Sequence, residues 1–407
     1  MKKLLLVNLI IISIANLGIS QTVNFYYDRA QERIEKKEYD AALKDLSVVL
    51  EKDKHFYEAY HDIGLIYAIK KQKLEAIKYF DLALKENPKY FKSYVERAKL
   101  NYELGKKKEA ISDFAKVIAQ NPSFTLAYEK RGLLYYEDGD FKNAINDFLN
   151  AEKYKSTLPE VYFNIAEIYK KENKKDLAIE YYSKTLRAQS DYIKAIKNRG
   201  EIYYQKEDYA HAIADLKMSK SEFDNEQVNT LIGHSFFKTN DFDQAIYYYS
   251  DVITRFHTKD WEVYYNRGVA YMNKEKYIEA KNDFTKTIAL KNDNYEGYYR
   301  RAEAYQKMGK ASFAIRDYNK VMQLNPKDPY PYYERGKHHW DNKEVDHCID
   351  DLTQYIKLEK NPVAEAYYLR GASFYLIHEK DKACEDLLKA KELGMKGASE
   401  MHFQVCH

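Results

Sequence analysis

The stretch 264–290, YYNRGVAYMNKEKYIEAKNDFTKTIAL, recurs along almost the whole chain. Aligning every copy on a small residue (Gly268 here) and on an alanine (Ala280 here) brings eleven copies into register. The alanine position recurs every 34 residues, with one interval of 33 and two of 35. Its occupants are Ala42, Ala76, Ala110, Ala144, Ala178, Ala212, Ala245, Ala280, Ala314, Cys348 and Ala383. A fixed period of this length predicts one solenoid of stacked repeats, not the two or three domains expected from 407 residues.

Charge does not indicate a partner. The chain has 66 basic and 63 acidic residues, and losing Lys2 and Lys3 with a signal segment would leave it nearly neutral. Such a balance predicts neither nucleic-acid binding nor attraction to a membrane surface. The 41 tyrosines are the unusual feature, and the repeat assigns most of them to packing.

Residues 1–20, MKKLLLVNLIIISIANLGIS, are typical of a secretory signal peptide: two lysines, an apolar run and small residues at the cleavage positions. A retained anchor helix is disfavoured because the apolar run is short for a span of about 20 residues and Asn8 interrupts it. No cysteine follows the signal, so a bacterial lipid anchor is not expected. We therefore expect an exported protein, periplasmic or secreted, with no membrane insertion after cleavage.

Two helices separated by a turn, here called helix A and helix B, are predicted in each copy from the spacing of apolar residues. We number positions from Trp261 as position 1; the copies begin at Val23, Tyr57, Phe91, Thr125, Pro159, Ile193, Glu226, Trp261, Tyr295, Pro329 and Ala364. Position 4 is tyrosine in nine copies, position 8 is always Gly or Ala, and position 20 is Ala or Cys. Small residues at 8 and 20 let the two helices approach closely, and large residues at 4, 11 and 24 fill the space between hairpins.

This pattern resembles the tetratricopeptide repeat (TPR), with an aromatic residue at 4, Gly or Ala at 8, tyrosine at 11, Ala at 20, a ring at 24 and proline at 32. The resemblance covers residues 23–393 and implies an all-α fold, a right-handed superhelix of about eleven hairpins whose concave face is formed by helix A. The family usually has leucine at position 7, and this chain does not.

Position 7 is arginine in eight copies, and position 23 is aspartate in the same eight. The predicted structural clasp pairs are Arg29/Asp45, Arg97/Asp113, Arg131/Asp147, Arg199/Asp215, Arg267/Asp283, Arg301/Asp317, Arg335/Asp351 and Arg370/Asp386. The other three copies have isoleucine and tyrosine instead: Ile63/Tyr79, Ile165/Tyr181 and Ile232/Tyr248. Residues sixteen apart can face each other across a hairpin, and a carboxylate matches the guanidinium fork. We interpret these arginines as structural, with a row of anion-binding arginines as the weaker alternative.

Two irregular regions are expected. Ile196 and Asn229 replace the position 4 tyrosine in adjacent copies, and the spacing loses a residue and regains one within 219–260, so a soft joint or ordinary loop drift is predicted at 219–260. After the array (21–393), residues 394–407 are predicted to form a cap on the last copy. A Cys384–Cys406 disulfide is the favoured pairing for the cap, with free thiols or a partner disulfide as alternatives, while Cys348 occupies the small-residue position of the core.

No catalytic, cofactor or metal site is predicted. His338, His339 and His347 lie in one copy, but His339 replaces a packing tyrosine, His347 lies on the other helix, and neither HExxH nor CxxC spacing occurs. No phosphate loop and no GxSxG motif occur, and the array leaves no room for a catalytic domain. We therefore predict a protein that is not an enzyme.

Ligands of the family usually lie on the concave face, at helix A positions such as 2, 5, 6, 9 and 12. Position 5 is tyrosine in the last four copies, which forms a ladder with two aromatic residues at position 12 beside it. The candidate binding residues are Tyr265, Tyr299, Tyr333, Tyr368, Trp340 and Tyr375, with Asn164, Asn198 and Asn266 at position 6. The ladder tyrosines could instead simply fill space in the packing of the repeats, and the three asparagines could be polar residues exposed to solvent. The sequence favours a scaffold or assembly factor that binds a protein or peptide in the cell envelope; the alternative is a binder of carbohydrate or cell-wall glycan through the ladder. The partner and the oligomeric state are not predicted.

Overall fold

Helices are the only regular elements within residues 21–406, the part that the computed structural model describes. The predicted signal segment 1–20 and residue 407 lie outside the described residues. No helix found among the described residues has both the length and the apolar character needed to cross a bilayer. The chain divides into two compact units, one ending at Ala195 and the other beginning at Ile196.

The first unit holds the first five hairpins. Its helices are α1 (21–35), α2 (Tyr39–Lys52), α3 (Tyr57–Ile69), α4 (Lys73–Glu86), α5 (Phe91–Glu103), α6 (Lys107–Gln120), α7 (Thr125–Glu137), α8 (Phe141–Lys153), α9 (Pro159–Lys171) and α10 (Lys175–Ala188). From α2 onward each helix packs against the next one, within a copy and between copies. Small separate clusters of buried side chains form the core of this unit, as expected when each repeat buries its apolar face on its neighbours.

The second unit holds the remaining hairpins and the cap. Its helices are α11 (Ile193–Gln205, which begins just before the division), α12 (Tyr209–Phe223), α13 (Glu226–Lys238), α14 (Phe242–Arg255), α15 (Trp261–Asn273), α16 (Tyr277–Leu290), α17 (Tyr295–Lys307), α18 (Ala311–Leu324), α19 (Tyr330–Asp341), α20 (Val345–Leu358), α21 (Ala364–Leu376), α22 (Lys380–Glu392) and α23 (Ala398–Cys406). From α12 onward the same pairing of successive helices holds. The predicted all-α array of helical hairpins is confirmed.

One left-handed residue makes the turn inside every hairpin. Position 15 has a positive φ in all eleven copies, between 57° and 79°. Glycine, the residue best suited to this conformation, occupies the position only at Gly105, Gly139 and Gly309. The other eight turns carry Lys37, Lys71, Asn173, Glu207, Asn240, Glu275, Lys343 and His378.

The close approach of helix A to helix B explains why position 8 is small. A Cβ atom added to Gly64 would lie 2.6 Å from the Phe80 ring at position 24, and one added to Gly268 would lie 2.8 Å from Phe284. Both rings are fully buried. The position 24 ring therefore packs directly on the backbone of helix A.

Within the predicted joint, Asn229 at position 4 is fully buried and donates a hydrogen bond of 2.7 Å to Asp224. Arg255, at the end of α14, binds the same carboxylate at 2.8 Å and lowers the pKa of Asp224 to about 2. The asparagine that stands here in place of tyrosine is thus bonded to a polar partner beside it. The soft joint itself stays a prediction.

The cap is a helix. Val405 of α23 packs with Ala383 and Leu387 of α22, and a disulfide joins Cys384 to Cys406. Cys348 is buried and free, and the Ser373 hydroxyl donates to its sulfur at 3.3 Å.

Candidate functional site

The four ladder tyrosines lie on helix A with their rings half-buried. Tyr265 packs on Phe284 with ring centroids 5.9 Å apart, and Tyr299 packs on Tyr318 at the same distance. Phe284 and Tyr318 are the fully buried rings at position 24 of the same copies. Each of these two tyrosines therefore belongs partly to the core and partly to the helix A surface.

The third and fourth ladder tyrosines are similarly anchored. Tyr333 packs on Tyr355 at 4.9 Å, and its hydroxyl donates to Glu365 of the next copy at 2.5 Å. Burial, followed by that hydrogen bond, raises the pKa of Tyr333. Tyr368 packs against the core clusters of the last two copies. The ladder is thus a row of side chains that pack on the core. It therefore exposes less aromatic surface to solvent than four unpacked tyrosines would.

The two position 12 residues differ in exposure. Tyr375 is 48% exposed, whereas Trp340 is half-buried against the cluster around Leu352. Tyr330, at position 2 of the same copy as Trp340, is 52% exposed and adds a ring to this surface that the sequence did not single out.

The three position 6 asparagines are half-buried. The Asn266 amide lies 3.3 Å from His234 Nε2 of the preceding copy. Asn164 belongs to the first unit, and Asn198 and Asn266 to the second. Their role as peptide contacts stays a prediction.

All eight arginine–aspartate pairs are brought together. In each pair Nε donates to Oδ2 and Nη2 donates to Oδ1, at 2.5–2.9 Å. The donors are Arg29, Arg97, Arg131, Arg199, Arg267, Arg301, Arg335 and Arg370, and the acceptors in the same order are Asp45, Asp113, Asp147, Asp215, Asp283, Asp317, Asp351 and Asp386. Both carboxylate oxygens of each aspartate are therefore engaged inside its own hairpin.

These aspartates lie in the core of the hairpins and not on a ligand-binding surface. Their side chains are at most 7% exposed, and the arginine side chains range from 11% to 38%. In the second unit, for example, Asp215 is 7% exposed, Asp317 is 3% exposed and Asp386 is 6% exposed. A partner on the surface of helix A would therefore meet the arginines before it met the carboxylates.

The remaining guanidinium nitrogen, Nη1, reaches the preceding copy, a contact that the sequence analysis missed. In five clasp pairs it donates to the side chain at position 25 of that copy, at 2.5–3.2 Å. The acceptors are Asp81, Ser250, Thr285, Asn319 and Thr353. The sequence signal for this contact is a polar residue at position 25 of the copy that precedes a copy with arginine at position 7.

Electrostatics at the clasp pairs depend on burial. The hydrogen bond from Arg29 lowers the pKa of Asp45, whereas burial outweighs Arg267 and raises the pKa of Asp283. Burial also opposes the charge of Arg267, yet its hydrogen bonds to Asp283 prevail and raise its pKa. We treat this pair as ionised, because two short, parallel hydrogen bonds match a guanidinium and a carboxylate.

The three copies without a clasp pair use aromatic packing instead. Tyr79 stacks on Tyr67 with centroids 5.3 Å apart, and Tyr248 stacks on Phe236 at 5.7 Å. Ile63, Ile165 and Ile232 at position 7 are all buried. A ring at position 23 therefore packs on the ring at position 11 where no arginine is present.

Sequence models of the tetratricopeptide repeat match this chain at 57–90, 91–124, 159–192, 261–294 and 295–328, and a further TPR repeat model matches 132–173. The first five matches coincide with copies 2, 3, 5, 8 and 9, and the last runs from copy 4 into copy 5. The chain is a tetratricopeptide repeat protein. TPR proteins are in general non-enzymatic scaffolds that bind protein partners, and the repeats support a protein-interaction scaffold here.

Solved structures similar to this TPR protein include MamA (23% identity, covering 43% of this chain and 96% of that one, TM-score 0.39). Yeast Tom70 is 17% identical and covers 92% of this chain and 85% of its own, with a TM-score of 0.35. Naa15/Naa10 bound to HypK-THB is 13% identical, with coverages of 93% and 77% and a TM-score of 0.42. These superpositions are loose, so the fold assignment rests on the repeat matches and on the helix pairs. No curated protein sequence matches the chain.

The structure also brings together possible metal ligands, two of them histidines that were considered and set aside on sequence, with Glu344 as the residue not considered. The ligand atoms of His339, Glu344 and His347 all lie within 4.8 Å of one another. The position of His347 on the other helix was an argument against a site, but the turn of the hairpin brings that helix against His339. The hydrogen bond from His339 lowers the pKa of Glu344.

Proposed function

We propose that this TPR protein is a scaffold or assembly factor that holds a protein or peptide against its helix A face in the cell envelope. The observation that carries this proposal is the support beneath the aromatic residues of that face. Rings already packed on the core lose little conformational freedom when a partner binds, and aromatic side chains with a polar tip are favoured interface anchors.

Polar groups surround these rings. Arg300 binds Glu303 at 2.8 Å on helix A of copy 9, and Glu262 and Glu296 at position 2 are exposed. A half-buried aromatic floor with an exposed polar rim is the usual composition of a protein–protein interface. This mixture suits a peptide that pairs its backbone with side chains and places apolar groups between the rings.

Stacking of a sugar requires an open ring face, and one ladder member lacks it. Tyr333 has Tyr355 at 4.9 Å, and the Lys337 ammonium lies 4.9 Å from its ring centroid. The covered ring favours the protein or peptide partner over the glycan alternative.

Export is the second part of the proposal. It is supported by the signal-like residues 1–20 and by the Cys384–Cys406 disulfide, since disulfides persist in oxidising compartments. Mass spectrometry of the protein purified from its cells should find a chain that lacks residues 1–20. It should also find Cys384 and Cys406 linked without reduction; an intact N-terminus with both thiols free would contradict export.

The binding face can be mapped with a photocrosslinking aromatic amino acid inserted at single positions in cells. The test positions are Tyr330 and Tyr375 on helix A, which are 52% and 48% exposed. The matched controls are Phe313 and Tyr247 on helix B, which are 47% and 62% exposed. We expect a discrete protein adduct at the helix A positions and none at the controls. Equal adducts at both sets, or adducts only on helix B, would contradict the proposed face. Crosslinking at these positions leaves the ladder tyrosines in place, whereas replacing them by alanine would remove core packing.

A further inference from the structure

We propose that His339, Glu344 and His347 bind one divalent transition-metal ion of the Zn²⁺ class at the turn of the tenth hairpin. His339 lies near the end of α19, and the other two residues lie at the start of α20. Each offers one ligand atom, and the three atoms lie within 4.8 Å of one another. Ligand atoms of a tetrahedral zinc ion lie about 3.4 Å apart, given bonds of about 2.0–2.1 Å. A movement of up to about 1.4 Å, by the exposed Glu344 and His347 side chains toward the half-buried His339, would close the site.

The hairpin turn brings the three side chains to one place. Lys343 has the left-handed conformation that all the turns share, and Glu344 follows it directly. The Glu344 carboxylate makes no capping hydrogen bond to α20 and is instead bonded to His339 Nδ1. One turn into α20, the His347 ring centroid lies 5.1 Å from that of His339. The two imidazoles and the carboxylate therefore converge at the surface end of the hairpin.

The second nitrogen of His339 faces a buried carboxylate on the protein side. Its Nε2 lies 3.6 Å from Oδ2 of Asp351, the buried carboxylate that Arg335 binds through two hydrogen bonds. A carboxylate behind the ring fixes the orientation of a metal-binding histidine and leaves its other nitrogen directed at the ion. The clasp pair of this copy would thus have a second use as the support for a ligand.

The donor set selects the class of ion. Imidazole suits Zn²⁺, Cu²⁺ and Ni²⁺, while Ca²⁺ and Mg²⁺ prefer oxygen ligands. Two histidines and one carboxylate leave a fourth position of a tetrahedral ion open. Water, or a side chain of a bound partner, would complete the coordination.

Copy 6 is an internal control for this site. It has Tyr203, Asp208 and His211 at the same three positions as His339, Glu344 and His347. His211 Nδ1 lies 2.8 Å from Asp208, and its ring stacks on Tyr203 with centroids 5.0 Å apart. Copy 6 therefore has a carboxylate and one imidazole at the corresponding positions, bonded to each other, but it lacks the second imidazole.

The test is a titration of the whole purified chain, without an affinity tag and freed of metal by a chelator, with Zn²⁺ in competition with a chromophoric indicator. We expect one zinc ion per chain. His339→Tyr, which gives copy 10 the residue of copy 6, and His347→Ala should each weaken zinc binding at least tenfold. His211→Ala should leave it unchanged.

A gain of binding separates ligation from a folding defect. Tyr203→His should add a second zinc ion per chain, with both ions bound by a chain whose helical content is unchanged by circular dichroism. The proposal is overturned if the wild type binds no zinc at stoichiometric concentration. It is also overturned if His347→Ala, an exposed position, leaves zinc binding intact, or if His211→Ala abolishes it as fully as His347→Ala does.

Discussion

The second and fourth hairpins join helix A to helix B at positions 7 and 23 by different contacts, apolar and aromatic in one and ionic in the other. They share glycine at position 8, phenylalanine at 24 and tyrosine at 11: Gly64, Phe80 and Tyr67 in copy 2, and Gly132, Phe148 and Tyr135 in copy 4. Copy 2 buries Ile63 and stacks Tyr79 on Tyr67, whereas copy 4 joins Arg131 to Asp147 through two hydrogen bonds of 2.7 Å. Across the eleven copies the residues at positions 7 and 23 change together and never singly. The pair is therefore part of the hairpin, which leaves the rest of helix A available for partners.

The largest expected effect comes from combining the position 7 residue of one kind of hairpin with the position 23 residue of the other. Asp147→Tyr leaves the half-buried Arg131 without its carboxylate, and removing one partner of a buried ion pair costs about 3–5 kcal/mol. Because repeat arrays do not unfold in one step, the suitable measurement is hydrogen exchange within α7 and α8, where protection should fall. Tyr79→Phe in copy 2 keeps the stacked ring and is the control. Unchanged protection in Asp147→Tyr would show that the pair contributes nothing.

Acid should weaken copy 2 through a group that copy 4 does not have. His61 is buried, bonds Ser93 at 2.9 Å and faces Lys92, and burial lowers its pKa from 6.5 to about 4. Because the folded-state pKa is depressed, the neutral ring contributes stability above pH 6.5 that is lost as the pH falls from 6.5 to 4. The loss should reach about 3 kcal/mol, at about 1.4 kcal/mol per pKa unit.

Hydrogen exchange within α3, measured across this pH range, checks the loss. His61→Phe, which places at position 5 the residue that copy 5 has as Phe163, should remove most of the pH dependence. A wild-type profile that stays flat between pH 6.5 and 4 would contradict the account of His61.

A smaller effect is expected at the contact between copies. Thr285→Val removes the acceptor that Arg301 Nη1 reaches at 3.2 Å, and should cost about 0.5–1.5 kcal/mol, the net value of a hydrogen bond. The converse change is Ala115→Ser, at position 25 ahead of Arg131, which offers that arginine an acceptor. The two variants should move the hydrogen-exchange protection of their hairpins in opposite directions, down for Thr285→Val and up for Ala115→Ser. Movement in the same direction would show that position 25 acts through helix propensity alone.

The period of the sequence predicted the hairpins and the pairing of positions 7 and 23, because both follow from spacing within one copy. Contacts that depend on the neighbouring copy were not recovered. The bond from Arg301 to Thr285 joins two copies, and its signal at position 25 is visible only when consecutive copies are read together.

The candidate site was predicted less completely than the fold. Helical spacing places Tyr299 and Tyr333 on the helix A face. How deeply their rings are buried depends on their packing against Tyr318 and Tyr355, which lie on helix B. The histidine cluster was set aside because His347 lies on a different helix from His339, which was taken to mean that the two are distant, and because no metal-binding motif spacing occurs. In a tight hairpin, position 11 of helix A instead faces the start of helix B.

The double replacement Arg131→Ile with Asp147→Tyr has the smallest expected effect and tests the central claim most directly. It gives copy 4 the residues of copy 2, and the tyrosine ring introduced at position 23 would stack on Tyr135 as Tyr79 stacks on Tyr67. Hydrogen exchange of α7 and α8 in the wild type, both single variants and the double variant gives the coupling between the two positions. We expect the stability of the double variant to lie within about 1 kcal/mol of that of the wild type, since well-packed residues replace buried ion pairs at little cost. Each single variant should instead lose several kcal/mol of stability. Losses that simply add in the double variant would contradict the account of positions 7 and 23 as one structural unit.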